Sequence, residues 1–216
     1  MRCINRSMLW VPMLAVVLAG CALPVPTPAP TSTTAALPAR KPEPVEPTVS
    51  AESRQLYEQA LVALKAARYA EAERGLLTVS QREPTLAGPR ANLGILYGHT
   101  GKSAQAIESL RQAIRLNPDR AVYYNELGMV YRRDGKFDEA RLYYAKALGV
   151  EPDYANAHLN LGILFDLYLG DPEKALQHYQ RYRELAPGDG ATVAKWIADL
   201  QQRARATGQS KGEKKG

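Results

Sequence analysis

Leu93 and Gly94 recur as Leu127 and Gly128, and again as Leu161 and Gly162, at steps of 34 residues. A period of that length restricts a chain to architectures in which one small unit is stacked on copies of itself. The same step relates Tyr97, Tyr131 and Phe165, the alanines Ala72, Ala106 and Ala140, and the prolines Pro84, Pro118 and Pro152. From residue 51 onward the sequence is rich in Ala, Leu and charge, which suits helices, and all twelve tyrosines lie there. A small residue in the first half of each unit (Ala60, Gly94, Gly128, Gly162) is expected to let one helix approach the next closely. Ala72, Ala106, Ala140 and Ala175 are expected to contribute the matching small residue. Each proline then stops the second helix before the next unit begins.

This pattern resembles the tetratricopeptide repeat (TPR), a helix–turn–helix unit, and the resemblance implies an all-α, right-handed solenoid of helical hairpins. Four repeats are placed at 53–86, 87–120, 121–154 and 155–188. The middle two fit best. The first has Ala63 where the others have an aromatic residue. The fourth is one residue long: Phe165 to Ala175 spans ten residues, Tyr131 to Ala140 nine, and Tyr182 replaces Ala113 and Ala147. A locally different turn and a wider gap behind that pair are expected. A stack of repeats needs a cap with a polar outer face. Residues 189–207 are predicted to form it, with Val193, Trp196, Ile197 and Leu200 on one face. Residues 208–216 are expected to be a basic disordered tail.

The stretch YGHTGKS at 97–103 ends like a phosphate-binding loop. That loop needs a glycine five residues before Gly101 and a strand leading into it. The position holds Leu96, and YGHTGKS is one period from YRRDGKF, so the fragment reads as an inter-helix turn.

The first 50 residues differ in kind. Residues 1–20 carry Arg2, Arg6 and the apolar run MLWVPMLAVVLAG, as an export signal does. Leu18, Ala19, Gly20 and Cys21 resemble the lipobox of bacterial lipoproteins. The resemblance implies cleavage before Cys21, a diacylglycerol thioether and N-acylation (palmitate). Ala22 after the cysteine implies the outer membrane, facing the periplasm, with the inner membrane as the other possibility. Cleavage removes Cys3 and lipidation consumes Cys21, so no thiol is left to pair. Residues 21–50 hold eight of the fifteen prolines and read as a tether, stiff or disordered.

Catalytic chemistry is not legible. His99, His158 and His178 lack metal-ligand spacing, and His158 is expected to pack within a helix pair. No nucleophile–base grouping stands out, so no enzyme, cofactor, metal, nucleic acid or small-molecule substrate is expected. The formal charge of +6 falls to +4 without Arg2 and Arg6. Much of the excess lies in the tail, where Arg203, Arg205, Lys211, Lys214 and Lys215 face only Glu213.

What remains is the groove that the TPR resemblance implies, lined by the first helix of each pair. The family's groove positions fall on Leu61, Ile95, Met129 and Ile163, with Tyr57, Ala91, Asn125 and Leu159 as a neighbouring row. Asn92, Asn160, Arg132 and Arg133 are expected at the rim. Positions where some TPR domains place Lys and Asn for a C-terminal carboxylate here hold Tyr57 with Leu61, or Ala91 with Ile95. An amphipathic helix or extended segment suits the groove better, unless the row belongs to the core between repeats. The expected function is a lipid-anchored adaptor that binds a polypeptide and assists an envelope complex such as a pilus or secretion system. The alternative is a structural scaffold that contacts cell wall or anionic lipid through tether and tail.

Overall fold

The computed structural model describes residues 49–189 and 191–213. The expected signal peptide, Cys21 and nearly all of the tether lie outside the described residues. The described chain is helical: α1 (Ala51–Lys65), α2 (Tyr69–Arg82), α3 (Ala87–His99), α4 (Ser103–Leu116), α5 (Ala121–Arg133), α6 (Phe137–Val150), α7 (Ala155–Leu164), α8 (Pro172–Leu185) and α9 (Ala191–Glu213). Each odd helix from α1 to α7 packs against the even helix that follows, and each even helix up to α6 touches the next pair.

Local chemistry sets where the helices end. Glu83, Asn117, Glu151 and Ala186, the C-caps of α2, α4, α6 and α8, all precede a proline and all leave the helical region, with ψ between 65° and 95°. The ring of a following proline disfavours helical backbone at those residues. Within the pairs the turn is left-handed, at Gly101 (φ 75°), Gly135 (φ 74°) and Gly170 (φ 63°). The first pair makes the same turn at Ala67 (φ 55°), where a side chain must tolerate a conformation suited to glycine. YGHTGKS is thus a helix-ending turn, and Lys102 in it reaches back to Glu73 of α2 at 3.4 Å.

The close approach inside the pairs departs in part from the expected meeting of two small residues. A Cβ on Gly94 would lie 2.5 Å from Leu110, one on Gly128 2.6 Å from Tyr144, and one on Gly162 2.4 Å from Tyr179. The glycines make room for one large buried side chain, and at Gly94 the expected small partner is also close, since a Cβ there would lie 3.2 Å from the Ala106 carbonyl oxygen. In the first pair two small residues do meet, with Ala60 packed against Gly75 of α2. Ala72, Ala106, Ala140 and Ala175 are fully buried in the same core.

The extra residue of the fourth pair is absorbed in a π-helical turn, Phe165–Leu169, between α7 and Gly170. A π turn adds a residue without breaking the helix. The contact between α7 and α8 is no wider for it, since Tyr179 reaches as near to Gly162 as Tyr144 does to Gly128. Tyr182 is buried and joins Val193, Ile197 and Leu200 of α9 in one core. Trp196 is more exposed than expected (37%), with its ring 5.4 Å from Tyr179. Arg203 of α9 pairs with Asp166 of the π turn at 3.0 Å. The helix runs on through residues 208–213, where a tail without structure was expected.

Among the described residues no helix is long and apolar enough to cross a membrane, and no group of three or more His, Cys, Asp or Glu could hold a metal.

Candidate functional site: the first-helix face

Helices α1, α3, α5 and α7 lie side by side, with contacts from each to the next. Their 34-residue register brings Leu61, Ile95, Met129 and Ile163 into one row, and all four are half-buried. None is sealed in the core and none stands fully free. Ile95 and Met129 line a narrow cleft between α3 and α5, with Gly98, Glu126 and Arg133 beside them.

The neighbouring row is occupied differently from the sequence expectation. Asn92 was placed at the rim, but its Nδ2 donates to Tyr57 Oη at 2.7 Å and to the Gly88 carbonyl at 3.0 Å. Two periods further on, Asn160 Nδ2 donates to Asn125 Oδ1 at 3.0 Å. Asn125 is 1% exposed and Asn160 8%, so neither is open to a partner. These bonds tie α1 to α3 and α5 to α7. A buried amide needs such a partner, and a lost one costs about 1–3 kcal/mol. The sequence signal for their role was there: Tyr57 to Asn92 and Asn125 to Asn160 are both steps of 35, one residue more than the repeat.

Glu126 occupies the matching place between Asn92 and Asn160, and sequence reasoning passed over it. Burial raises its carboxyl above the usual carboxylate range, against the opposing pull of Asn125 and the Arg133 charge. Arg133 Nη1 donates to the Gly98 carbonyl, which holds the guanidinium across the α3–α5 seam. Arg132 lies toward Tyr144, whose phenol is pushed up to about 12 by burial with the Arg132 charge pulling the other way. Leu159 and Ile163 are half-buried on α7, and Tyr57 and Leu61 on α1. Ala91 is buried.

The face is therefore a half-open apolar row flanked by a hydrogen-bonded seam and two arginines. Its bonds are already made between helices, and its apolar atoms are what it can offer to another molecule.

A tetratricopeptide repeat family model matches residues 119–187, and a TPR repeat model matches residues 96–135. These residues form a TPR array. Among solved structures the chain is similar to a thermophilic TPR protein of Thermus thermophilus, with 26% identity, TM-score 0.60, and 69% of this chain and 81% of that one covered. It is similar in fold to Pseudomonas aeruginosa pilF, with 22% identity, TM-score 0.65, and 72% and 70% covered. A Thermobaculum terrenum O-GlcNAc transferase matches with 27% identity and TM-score 0.57 over 61% of this chain. This chain spans only 26% of that enzyme's length. No curated protein matches the chain. The TPR fold is in general a non-catalytic module that binds polypeptides, which places this array among protein–protein interaction adaptors.

Proposed function

We propose that the chain is a lipid-anchored adaptor that holds a polypeptide on its first-helix face and assists assembly of an envelope complex such as a pilus or secretion system. The observation that carries the reading is the half-buried row Leu61, Ile95, Met129 and Ile163, continuous over four helices. Such a row offers little to a sugar or phosphate and suits the apolar side of a helix or extended segment. Met129 adds adaptability through its unbranched side chain. The anchor rests on Cys21 and the signal-like run before it. Two or three acyl chains, at about 0.8 kcal/mol per buried CH₂, would hold the protein at a membrane.

The test combines Met129→Glu with partner capture and thermal melting. A melting curve close to that of the parent with lost capture supports the reading. A stable variant with full capture removes the face from it and favours the scaffold that works through tether and tail. Unfolding would assign the row to the core between repeats. Cys21→Ser tests the anchor separately, since it should release the protein from the membrane fraction and leave an N-terminus without acyl groups.

A further inference from the structure

The second helices of successive pairs leave clefts between them, and two of these clefts are related by one repeat. The α2–α4 cleft, about 410 Å³, is lined by Leu77, Gln81, Arg90, Ser109 and Gln112 among others. The α4–α6 cleft, about 520 Å³, has Arg111, Arg115, Tyr124, Tyr143 and Lys146 at the corresponding places, each 34 residues on. The fold is satisfied by the first set, so it does not require the second.

The two clefts also spend their charges differently. Arg90 is consumed within its own cleft, where it donates to Gln112 Oε1 at 2.6 Å. In the α4–α6 cleft the cations are held on aromatic walls. Arg111 donates to Tyr131 Oη at 2.8 Å, and Lys146 Nζ lies 4.9 Å from the centre of the Tyr143 ring. Glu108 is committed to Arg115 at 3.3 Å and to Gln112 at 2.8 Å. Among the described residues no carboxylate pairs with Arg111 or Lys146. Ile114 and the partly exposed Val150 supply an apolar wall, and a Cβ at Gly149 would meet nothing within 4 Å.

We propose that the α4–α6 cleft is a binding site for an acidic polypeptide segment, with carboxylates at Arg111 and Lys146 and an apolar side chain against Ile114 and Val150. It is separate from the first-helix face and stands whether or not that face binds. Charge complementarity selects the carboxylate, and the apolar wall selects a polypeptide over a bare anion or sugar. Single-stranded nucleic acid is the poorer fit, because stacking needs a free aromatic face. One side of Tyr143 is stacked on Tyr131 at 5.3 Å and 13°, and Lys146 lies over the ring.

The test is fluorescence anisotropy with the full chain in a neutral detergent and four labelled probes. The first is an eight-residue peptide that alternates glutamate and leucine. The others are a glutamate–serine peptide, an oligothymidine of eight nucleotides, and vesicles of phosphatidylglycerol. The glutamate–leucine peptide is expected to bind at least fivefold more tightly than the glutamate–serine peptide. Lys146→Glu, and separately Arg111→Gln, should each weaken it about tenfold, as for loss of one close charge pair. Lys146 is exposed, so its variant reads binding without a folding effect. Lys65→Ala with Arg74→Ala, which removes two positive charges elsewhere, should leave binding unchanged. Equal loss in the Lys65/Arg74 control would make the attraction one of net charge and overturn the proposal. So would tighter binding of oligothymidine or vesicles that Lys146→Glu abolishes while peptide binding persists, or no peptide binding at all.

Discussion

The third helix pair and the pairs at the two ends are built on one plan with different tolerances. In the third pair Gly135 makes the turn, Gly128 receives Tyr144, and nothing is inserted. The first pair makes its turn at Ala67. The fourth carries a π turn and depends on α9, whose Val193, Ile197 and Leu200 are buried against it. The comparison teaches that the third and fourth pairs keep the same glycine–tyrosine contact while irregularity is pushed into turns and onto the outer end of the stack.

If that is right, the largest effect comes from removing what covers the fourth pair. Deleting residues 190–216 exposes Tyr179 and Tyr182 and loses three buried apolar side chains, at roughly 1.5–3 kcal/mol each. Domains of this kind are stable by only about 5–15 kcal/mol, so the deletion should lower the melting temperature sharply or cause aggregation. An unchanged melting curve would mean that α9 does not complete the core.

Next is the contact itself. Gly162→Val and Gly128→Val each force a branched side chain against a tyrosine ring, and each should destabilise by about 1–3 kcal/mol or more. Denaturant titration of both variants sharpens the comparison. Similar losses mean that the π turn preserved the contact, whereas a much smaller loss at Gly162 would mean that the fourth pair is looser.

The fourth pair also differs from the third in its response to acid. His158 and His178 stand where the preceding repeat has Tyr124 and Tyr143, with their Nδ1 atoms 3.1 Å apart. His158 Nε2 lies 3.0 Å from the Pro152 carbonyl, which can only accept, so His158 carries its proton there and His178 donates from Nδ1. Burial first, then the His158 charge, pushes the His178 imidazole down to about 4. Between pH 6.5 and 4 the unfolded chain therefore binds a proton that the folded chain refuses. This contribution is fully present above pH 6.5 and is lost as pH falls toward 4. The loss should be about 1–2 kcal/mol after screening of the half-buried ring is allowed for. His178→Phe, which keeps the stacking on Phe165, should flatten stability against pH in that window. An unchanged slope would assign the acid sensitivity elsewhere.

The smallest expected effect is at the other end, and its sign is the informative part. Ala67→Gly should stabilise the chain by up to about 1 kcal/mol, because the left-handed turn no longer strains a side chain. A loss of stability in chemical denaturation would mean that the Ala67 side chain does more than tolerate its turn.

Much of this was legible because the repeat is legible. Glycine at 101 and 135, proline after each second helix, and the apolar face of α9 each follow from residue chemistry at a fixed step. The partners across the pairs were harder to read. Nothing in the sequence says that Gly128 faces Tyr144 and not Ala140, since both choices keep the period. The π turn was visible only as an extra residue, because a length count does not say how a backbone absorbs it. On the first-helix face the apolar row followed from the step of 34. The Asn125–Asn160 bond did not, because polar residues on a helix read as surface until the neighbouring helix is placed. Glu126 was overlooked for the same reason.

The central claim is that a polypeptide lies on the first-helix face, and site-directed photo-crosslinking in the producing cell tests it most directly. A photoreactive residue is placed at Ile95, at Ile163, or as a reference at Leu142, which is 51% exposed on α6. The account predicts that Ile95 and Ile163 crosslink to one and the same polypeptide and that Leu142 does not. Crosslinking from Leu142 with none from Ile95 or Ile163 would contradict it.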